Sequence, residues 1–226
     1  MVAITTGIDV TSTHFSILRL GVQGAGYTTG SADIRWTPEM WAQFPDAVRI
    51  DQDAGASDHT ADVLDVETGA ATVAECAAWK TRAQAAFEAG TRPGQREPAI
   101  YCSASMITPV VNALVAGGVT GCPLWVAHFG IGMNSAMSML NASAGPYPII
   151  GVQYADNGSY DSDVWLTSWL QKRSAAGPPK PQVPPGQWGD PRFWSWQDAV
   201  IAGTGLDGRL HIWTFDPAAG DWSKAE

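Results

Sequence analysis

A chain of 226 residues can hold one sizeable domain, alone or with a small appendage, and is too short for two large ones. Its 13 basic residues against 22 acidic ones give a formal charge of −9, which argues against a nucleic-acid backbone or an anionic bilayer as the main partner. With 45% hydrophobic and only 15% charged residues, a packed core is expected and wholesale disorder is excluded.

Cys76, Cys102 and Cys122 make an odd count with no C-x-x-C, so neither a zinc site nor a disulfide framework is signalled. Buried free thiols are the expectation, with a Cys102 to Cys122 bridge as the alternative. The opening "MVAITTGIDV" lacks the basic and apolar regions of a secretory signal, and no apolar run of 18 residues occurs. Membrane insertion is therefore not expected, and a role outside the cell would need another route of delivery.

In chain order, β-branched apolar runs predict strands over 2–10, 24–29, 47–52, 62–67, 98–103, 123–129 and 148–155. Helical signals fall between them. "TPEMWAQF" opens on Thr37 with Pro38 in its first turn. Residues 72–89 carry a capping box, Thr72 with Glu75, and stop at Gly90. "SASMITPVVNALVAGG" begins at Ser103 or Ser105 and ends on Gly117 and Gly118, so these serines serve as caps; no G-x-S-x-G elbow is present.

Apolar strands alternating with helices predict an α/β fold with parallel pairing, either barrel or open sheet. No G-x-G-x-x-G or G-x-x-x-x-G-K-[ST] motif supports a nucleotide-binding open sheet. Polar residues instead gather at the C-terminal ends of the strands: Asp9, Asp51, Asp53, Asp65, Glu67, His128 and Gln153. In a (β/α) barrel that end collects catalytic groups. The expected domains are a barrel over 1–173, a Pro-rich linker over 174–187 and a small Trp-rich β appendage over 188–226, a hairpin or meander. Trp194, Trp196, Trp213 and Trp222 are candidates there for holding a ligand or docking onto another particle.

"VLDVETG" places Asp65 and Glu67 two positions apart. On a strand they share a face, with Cβ atoms roughly 6 to 7 Å apart. Two acids desolvated together separate in proton affinity, as a general acid and an ionised carboxylate require in glycoside hydrolysis. The ordinary structural alternative is a pair of strand-end acids held by arginines, and Arg35 and Arg49 are expected to neutralise acids at that end. A hard-metal site built from Asp51, Asp53, Asp65, Glu67 and His128 is the weaker chemical alternative, and no metal or other cofactor is expected. His14, His59 and His211 read as surface or satisfied residues.

Taken in order, "GIDVTS", "LDVET", "PLWVAHF" and "GVQYADNGSYDSDVW" resemble the bacterial and phage muramidases of glycoside hydrolase family 25. The related glycoside-hydrolase-like barrels of actinobacterial and phage proteins are similar too. The resemblance spans roughly residues 5–170 and implies a TIM-like barrel of eight strands with fewer than eight helices. It implies cleavage of β-1,4 links between N-acetylmuramic acid and N-acetylglucosamine in peptidoglycan. Glu67 matches the acid/base; Asp65 matches the carboxylate that assists the substrate's own N-acetyl group; Asp9 matches the first-strand aspartate. Asp161 or Asp163 matches the late aspartate of the final turn, while Tyr101, Trp125, Gln153 and Tyr154 would line the groove. Three departures stand out: the short interval from Asp9 to Asp65, Val152 in place of a tryptophan, and "RIDQD" in place of the family's third-strand segment, which would bring Asp51 and Asp53 toward the site. The other expected role is a catalytically weak barrel serving as a wall-binding or structural module of a phage tail or injection apparatus. Either would act on the cell wall, virion-borne, holin-released or exported without a signal peptide.

Overall fold

The "ITTGID" run forms strand β1 (Ile4–Asp9), and the chain then lays β2 (Gln23–Tyr27), β3 (Val48–Asp51), β4 (Val63–Val66), β5 (Ala99–Ser103) and β6 (Leu124–Ala127) beside it in order, each parallel to the last. The computed structural model describes residues 2–55, 61–90 and 95–173, together with the strand backbones 193–195, 200–204, 210–216 and 221–224. The chain divides into two compact units, residues 1–175 and 176–226.

In the first unit, β6 pairs in parallel with β8 (Tyr147–Asp156), and β8 pairs antiparallel with β9 (Asp161–Leu166). Strand β9 returns antiparallel to β1, closing a barrel of eight strands; the two-residue β7 (Ser143–Ala144) only flanks β8. Helices are few: α1 (Pro38–Gln43), α2 (Cys76–Glu88), α3 (Ile107–Ala116), α4 (Met133–Met139) and α5 (Thr167–Gln171).

The barrel and its α/β content stand, but the strand–helix alternation of a TIM-like (β/α) barrel does not. Strands alone close the wall. The β1–β2 crossover holds only a 3-10 turn at Ser12–Ile17. The closing β8–β9 pair is antiparallel, so a short turn suffices where a parallel pair would need a crossover.

At α1 and α2 the sequence signals hold, whereas neither Ser103 nor Ser105 caps α3 with its side chain: their hydroxyls bond each other at 2.9 Å and α3 starts after Met106. Thr37 caps α1 by accepting a hydrogen bond from the Met40 amide, and Glu75 accepts from the Thr72 amide at 2.8 Å in the capping box. Cys76, Trp79, Lys80 and Ala83 make the buried stripe of α2. Lys80 is buried yet satisfied, its Nζ donating at 2.8 Å to both the Pro98 carbonyl and Gln84. Cys76, Cys102 and Cys122 are all free and buried, so the alternative Cys102 to Cys122 bridge is not formed; burial pushes the Cys102 and Cys122 thiols up to about 12.

Inside the barrel three rings pack edge to face: Tyr101 on Trp125 at 5.2 Å and Trp125 on Trp165 at 5.1 Å. Two glycines make the room. A Cβ on Gly151 would sit 2.5 Å from Trp165 and 2.9 Å from Trp125, and one on Gly7 would sit 2.7 Å from Trp165.

At the end where the parallel strands begin, buried Arg96 pairs with Asp62 at 2.9 Å and donates to the carbonyls of Leu170, Ala47 and Asp46. One guanidinium thus ties together the entries to β3 and β4 and the exit of β9. The second unit is an antiparallel meander in chain order: β10 (Phe193–Ser195), β11 (Val200–Thr204), β12 (Leu210–Asp216) and β13 (Asp221–Lys224). The expected linker over 174–187, His59, Trp196 and the side chains of Trp194, Trp213, Trp222 and His211 lie outside the described residues.

Candidate active site

Alternation along each strand decides which acids meet. Asp65 pairs in register with Tyr101, and Tyr101 with Trp125, so all three project into the barrel. Asp9 stands opposite Asp161 on β9, and Asp163 opposite Gly7. Asp9, Asp65, Glu67, Asp161 and Asp163 therefore converge at the end where the parallel strands finish. Their mutual influence on proton affinity follows from that convergence.

A chain of hydrogen bonds crosses the cluster. The Tyr101 hydroxyl donates to Gln153 Oε1 at 2.6 Å, and Gln153 Nε2 donates to Asp9 Oδ2 at 2.8 Å. Trp125 Nε1 donates to Asp163 Oδ1 at 3.2 Å, and Gln52 Nε2 to Asp65 Oδ2 at 3.2 Å. The second carboxylate oxygens of Asp65 and Asp163 are buried with no partner. The described ion pairs, Arg96–Asp62, Lys172–Glu97 and Arg173–Asp46, involve none of the five acids.

Burial without a cation favours the protonated acid. Burial, then the neighbouring charge of Glu67, lifts Asp65 to about 7 against the pull of the Gln52 amide. Glu67, half-buried just past the end of β4, is raised by burial, and the Tyr101 hydroxyl partly offsets this. Asp161 rises to about 6 through burial, Asp156 and Glu67. Asp9 and Asp163 are raised well above the ordinary carboxylate range, each by burial first; Asp161 and Asp65 then add to Asp9, and Asp9 and Asp161 to Asp163. Depth divides the cluster: Asp9, Asp65 and Asp163 are buried, while Glu67 and Asp161 are partly open to solvent.

Several expected positions fall elsewhere. Asp51 pairs with Leu64, on the face opposite Asp65, and its carboxylate accepts hydrogen bonds from Thr29 Oγ1 at 2.5 Å and the Asp53 amide at 2.9 Å. Asp53 is exposed and turns back onto the Gly55 amide at 2.8 Å. Both therefore brace loops and neither is brought to the acid cluster. Trp125 is fully buried, a packing and hydrogen-bonding residue with no face for a groove. Tyr101 and Gln153 are buried too, and act on the acids from below. Tyr154 sits at the register shift between Gln153 and Ala155 and packs, partly buried, against the main hydrophobic core. His128 is exposed just beyond β6, its amide donating to the Gln153 carbonyl at 2.8 Å. Asp161 and Asp163 lie in strand β9, past the turn expected to hold them. Arg49 lays its guanidinium over Trp41 at 4.6 Å, and among the described residues neither it nor Arg35 pairs with an acid.

Two residues join the site from positions not singled out. Tyr27, the last residue of β2, is raised well above a normal phenol by the charge of Asp9 first, then by burial, Asp65, Asp161 and Glu67. It therefore stands among the acids. Gln52, one past β3, takes the place expected for Asp51. The alternation that puts Ala25 beside Asp9 carries Tyr27 to the same face, so the signal was present in the strand pattern.

Among the described residues no group of three or more His, Cys, Asp or Glu side chains is arranged to hold a metal ion, and no helix is long and apolar enough to cross a membrane. No family model, curated protein or solved structure matches the chain.

Proposed function

We propose that the barrel is a peptidoglycan-directed glycoside hydrolase of the muramidase type, acting on the cell wall. The observation that carries the reading is the arrangement of one acid pair: Glu67 is partly open to solvent just past the end of β4, and Asp65, two residues earlier, is buried and projects into the barrel among the other acids. Glu67 protonates the glycosidic oxygen as the bond to the anomeric carbon breaks, while the carbonyl oxygen of the sugar's own acetamide bonds to that carbon from the opposite face. Asp65 in its ionised form, which its proton affinity of about 7 makes available at and above neutral pH, receives the acetamide N–H and offsets the positive charge that develops on it, with Asp9 beside it in the cluster. Water then attacks the anomeric carbon, gives its proton to Glu67, and the acetamide is restored. Asp161, at the rim, contacts the glycan. Delivery to the wall by a virion or through a holin fits this reading, with the Trp-rich second unit as the attachment piece.

The test is reducing-end release from purified peptidoglycan by the wild type and by Glu67→Gln, with both folds checked by circular dichroism. Release should fall at least about 100-fold in the variant. The sparse helical cover of the barrel favours a second reading, a wall-binding module of a phage tail or injection apparatus. A folded wild type that sediments with sacculi yet releases no reducing ends would establish that one and overturn the hydrolase.

A further inference from the structure

Asp65 is held by a neutral side chain from the neighbouring strand. Strand β3 runs parallel to β4 with Asp51 beside Leu64, so Gln52 follows beside Asp65 and shares its face. Gln52 Nε2 donates to Asp65 Oδ2 at 3.2 Å, and the other oxygen of that carboxylate is buried without a partner among the described residues. Gln52 is itself held in place. Its backbone amide donates to Thr29 Oγ1 at 2.8 Å, Thr29 Oγ1 donates to Asp51 Oδ1 at 2.5 Å, and the same oxygen accepts the Asp53 amide at 2.9 Å. At the tip of the side chain, Gly30, with φ +100°, lies so close that a Cβ there would sit 2.7 Å from Gln52 Oε1. The "TTG" after β2 thus clasps the "DQD" after β3, within the "RIDQD" segment where the chain departs from the family it resembles. Asp51 faces away from the acids, yet it reaches them through this clasp.

The chemistry of the donor matters. An arginine at this place would pin Asp65 as a permanent carboxylate, and an apolar side chain would leave it protonated; an amide N–H favours the anion modestly. It does so against burial and against groups that all resist a second negative charge: Glu67 beyond β4, Asp9 on β1, Tyr27 on β2, and Tyr101 and Cys102 on β5. We propose that Gln52 is the positioning residue of the site: clasped by Thr29 and Asp51, its amide holds the Asp65 carboxylate in one orientation and in the anionic form that receives a substrate N–H. This rests on the glycosidase reading above and adds to it a residue that acts through Asp65.

The test follows the carboxyl-carbon resonance of Asp65 in the full chain as pH is raised, with Asp65→Asn identifying the signal and circular dichroism checking each fold. Gln52→Met keeps the length of the side chain and removes the donor; the Asp65 midpoint should rise by about one pH unit, a tenfold loss in acid dissociation. Thr29→Val, which touches only the clasp, should move it in the same direction, and Thr29→Ser, which keeps the hydroxyl, should leave it where it is. The acid limb of reducing-end release should move with the midpoint in Gln52→Met, which a loss of packing alone would not cause. Should Gln52→Met fail to fold, Thr29→Val against Thr29→Ser decides. A midpoint unmoved in folded Gln52→Met or in Thr29→Val, or moved equally by both Thr29 variants, would overturn the proposal. A shifted midpoint in a chain that releases no reducing ends defeats the hydrolase and leaves Gln52 in control of Asp65; release with an unmoved midpoint does the reverse.

Discussion

Asp65 pays for its position with pH-dependent stability. Its proton affinity in the folded chain, about 7, lies above that of a solvated aspartate, so between about pH 4 and pH 7 the folded state binds the more protons. Stability on this account is full at acid pH and is lost as pH rises through 7, by about 4 kcal/mol for a shift of this size. Asp65→Asn removes the titration while keeping the size of the side chain and a hydrogen-bonding oxygen for Gln52. The expected result is a urea midpoint that drops clearly from pH 5 to pH 8 in the wild type and by a smaller amount in the variant, where the other raised acids still titrate. Equal drops in both would show that Asp65 is not the desolvated group. At this scale the sequence exposed Asp9, Asp65 and Glu67, because acids near the ends of apolar strands stand out, whereas Asp161 and Asp163 entered only through the family resemblance and were expected in a turn. It misplaced Asp51 for a geometric reason: side chains alternate, so a shift of one residue moves a group to the other face, and Gln52 rather than Asp51 looks inward.

The same alternation governs whole strands. Seven strands were legible as apolar β-branched runs, and the capping box of α2 marked its own start. Strand β9 was hidden because "DSDVWL" opens with polar residues that imitate a turn. Its inward residues, Asp163 and Trp165, are an acid and an indole rather than an apolar pair, and only the closed barrel explains both. Missing helices were equally hard to see, since strand patterning alone does not reveal whether a crossover carries a helix. The two inner indoles meet only because Gly151 has no side chain. Gly151→Ala forces a methyl against Trp165 and Trp125, and overpacking of this kind costs about 1 to 3 kcal/mol. Both a lower thermal midpoint and a changed near-ultraviolet dichroism of the indoles should follow. An unchanged spectrum would mean that these rings do not pack as described.

Across the first unit, charge follows strand direction. The described ion pairs use Asp46, Asp62 and Glu97, which precede β3, β4 and β5, so the cations of Arg96, Lys172 and Arg173 sit where the parallel strands begin. The unpaired acids gather where those strands end. A buried ion pair such as Arg96–Asp62 contributes little net stability when intact and costs about 3 to 5 kcal/mol when broken, so it fixes the arrangement of that end more than it strengthens it. The barrel can then keep uncompensated acids at the opposite end only if its wall is continuous, and continuity depends on β9, which alone hydrogen-bonds both β8 and β1. A chain ending at residue 156 would leave both of those strands as open edges and remove Trp165 from between Gly7 and Gly151. Residues 1–175 contain every strand of the barrel and should unfold in one cooperative urea transition, whereas residues 1–156 should aggregate or show no transition. If the shorter chain unfolds as cooperatively as the longer, closure by β9 is not what holds the acids together, and the burial that sets their proton affinities must come from the parallel strands alone.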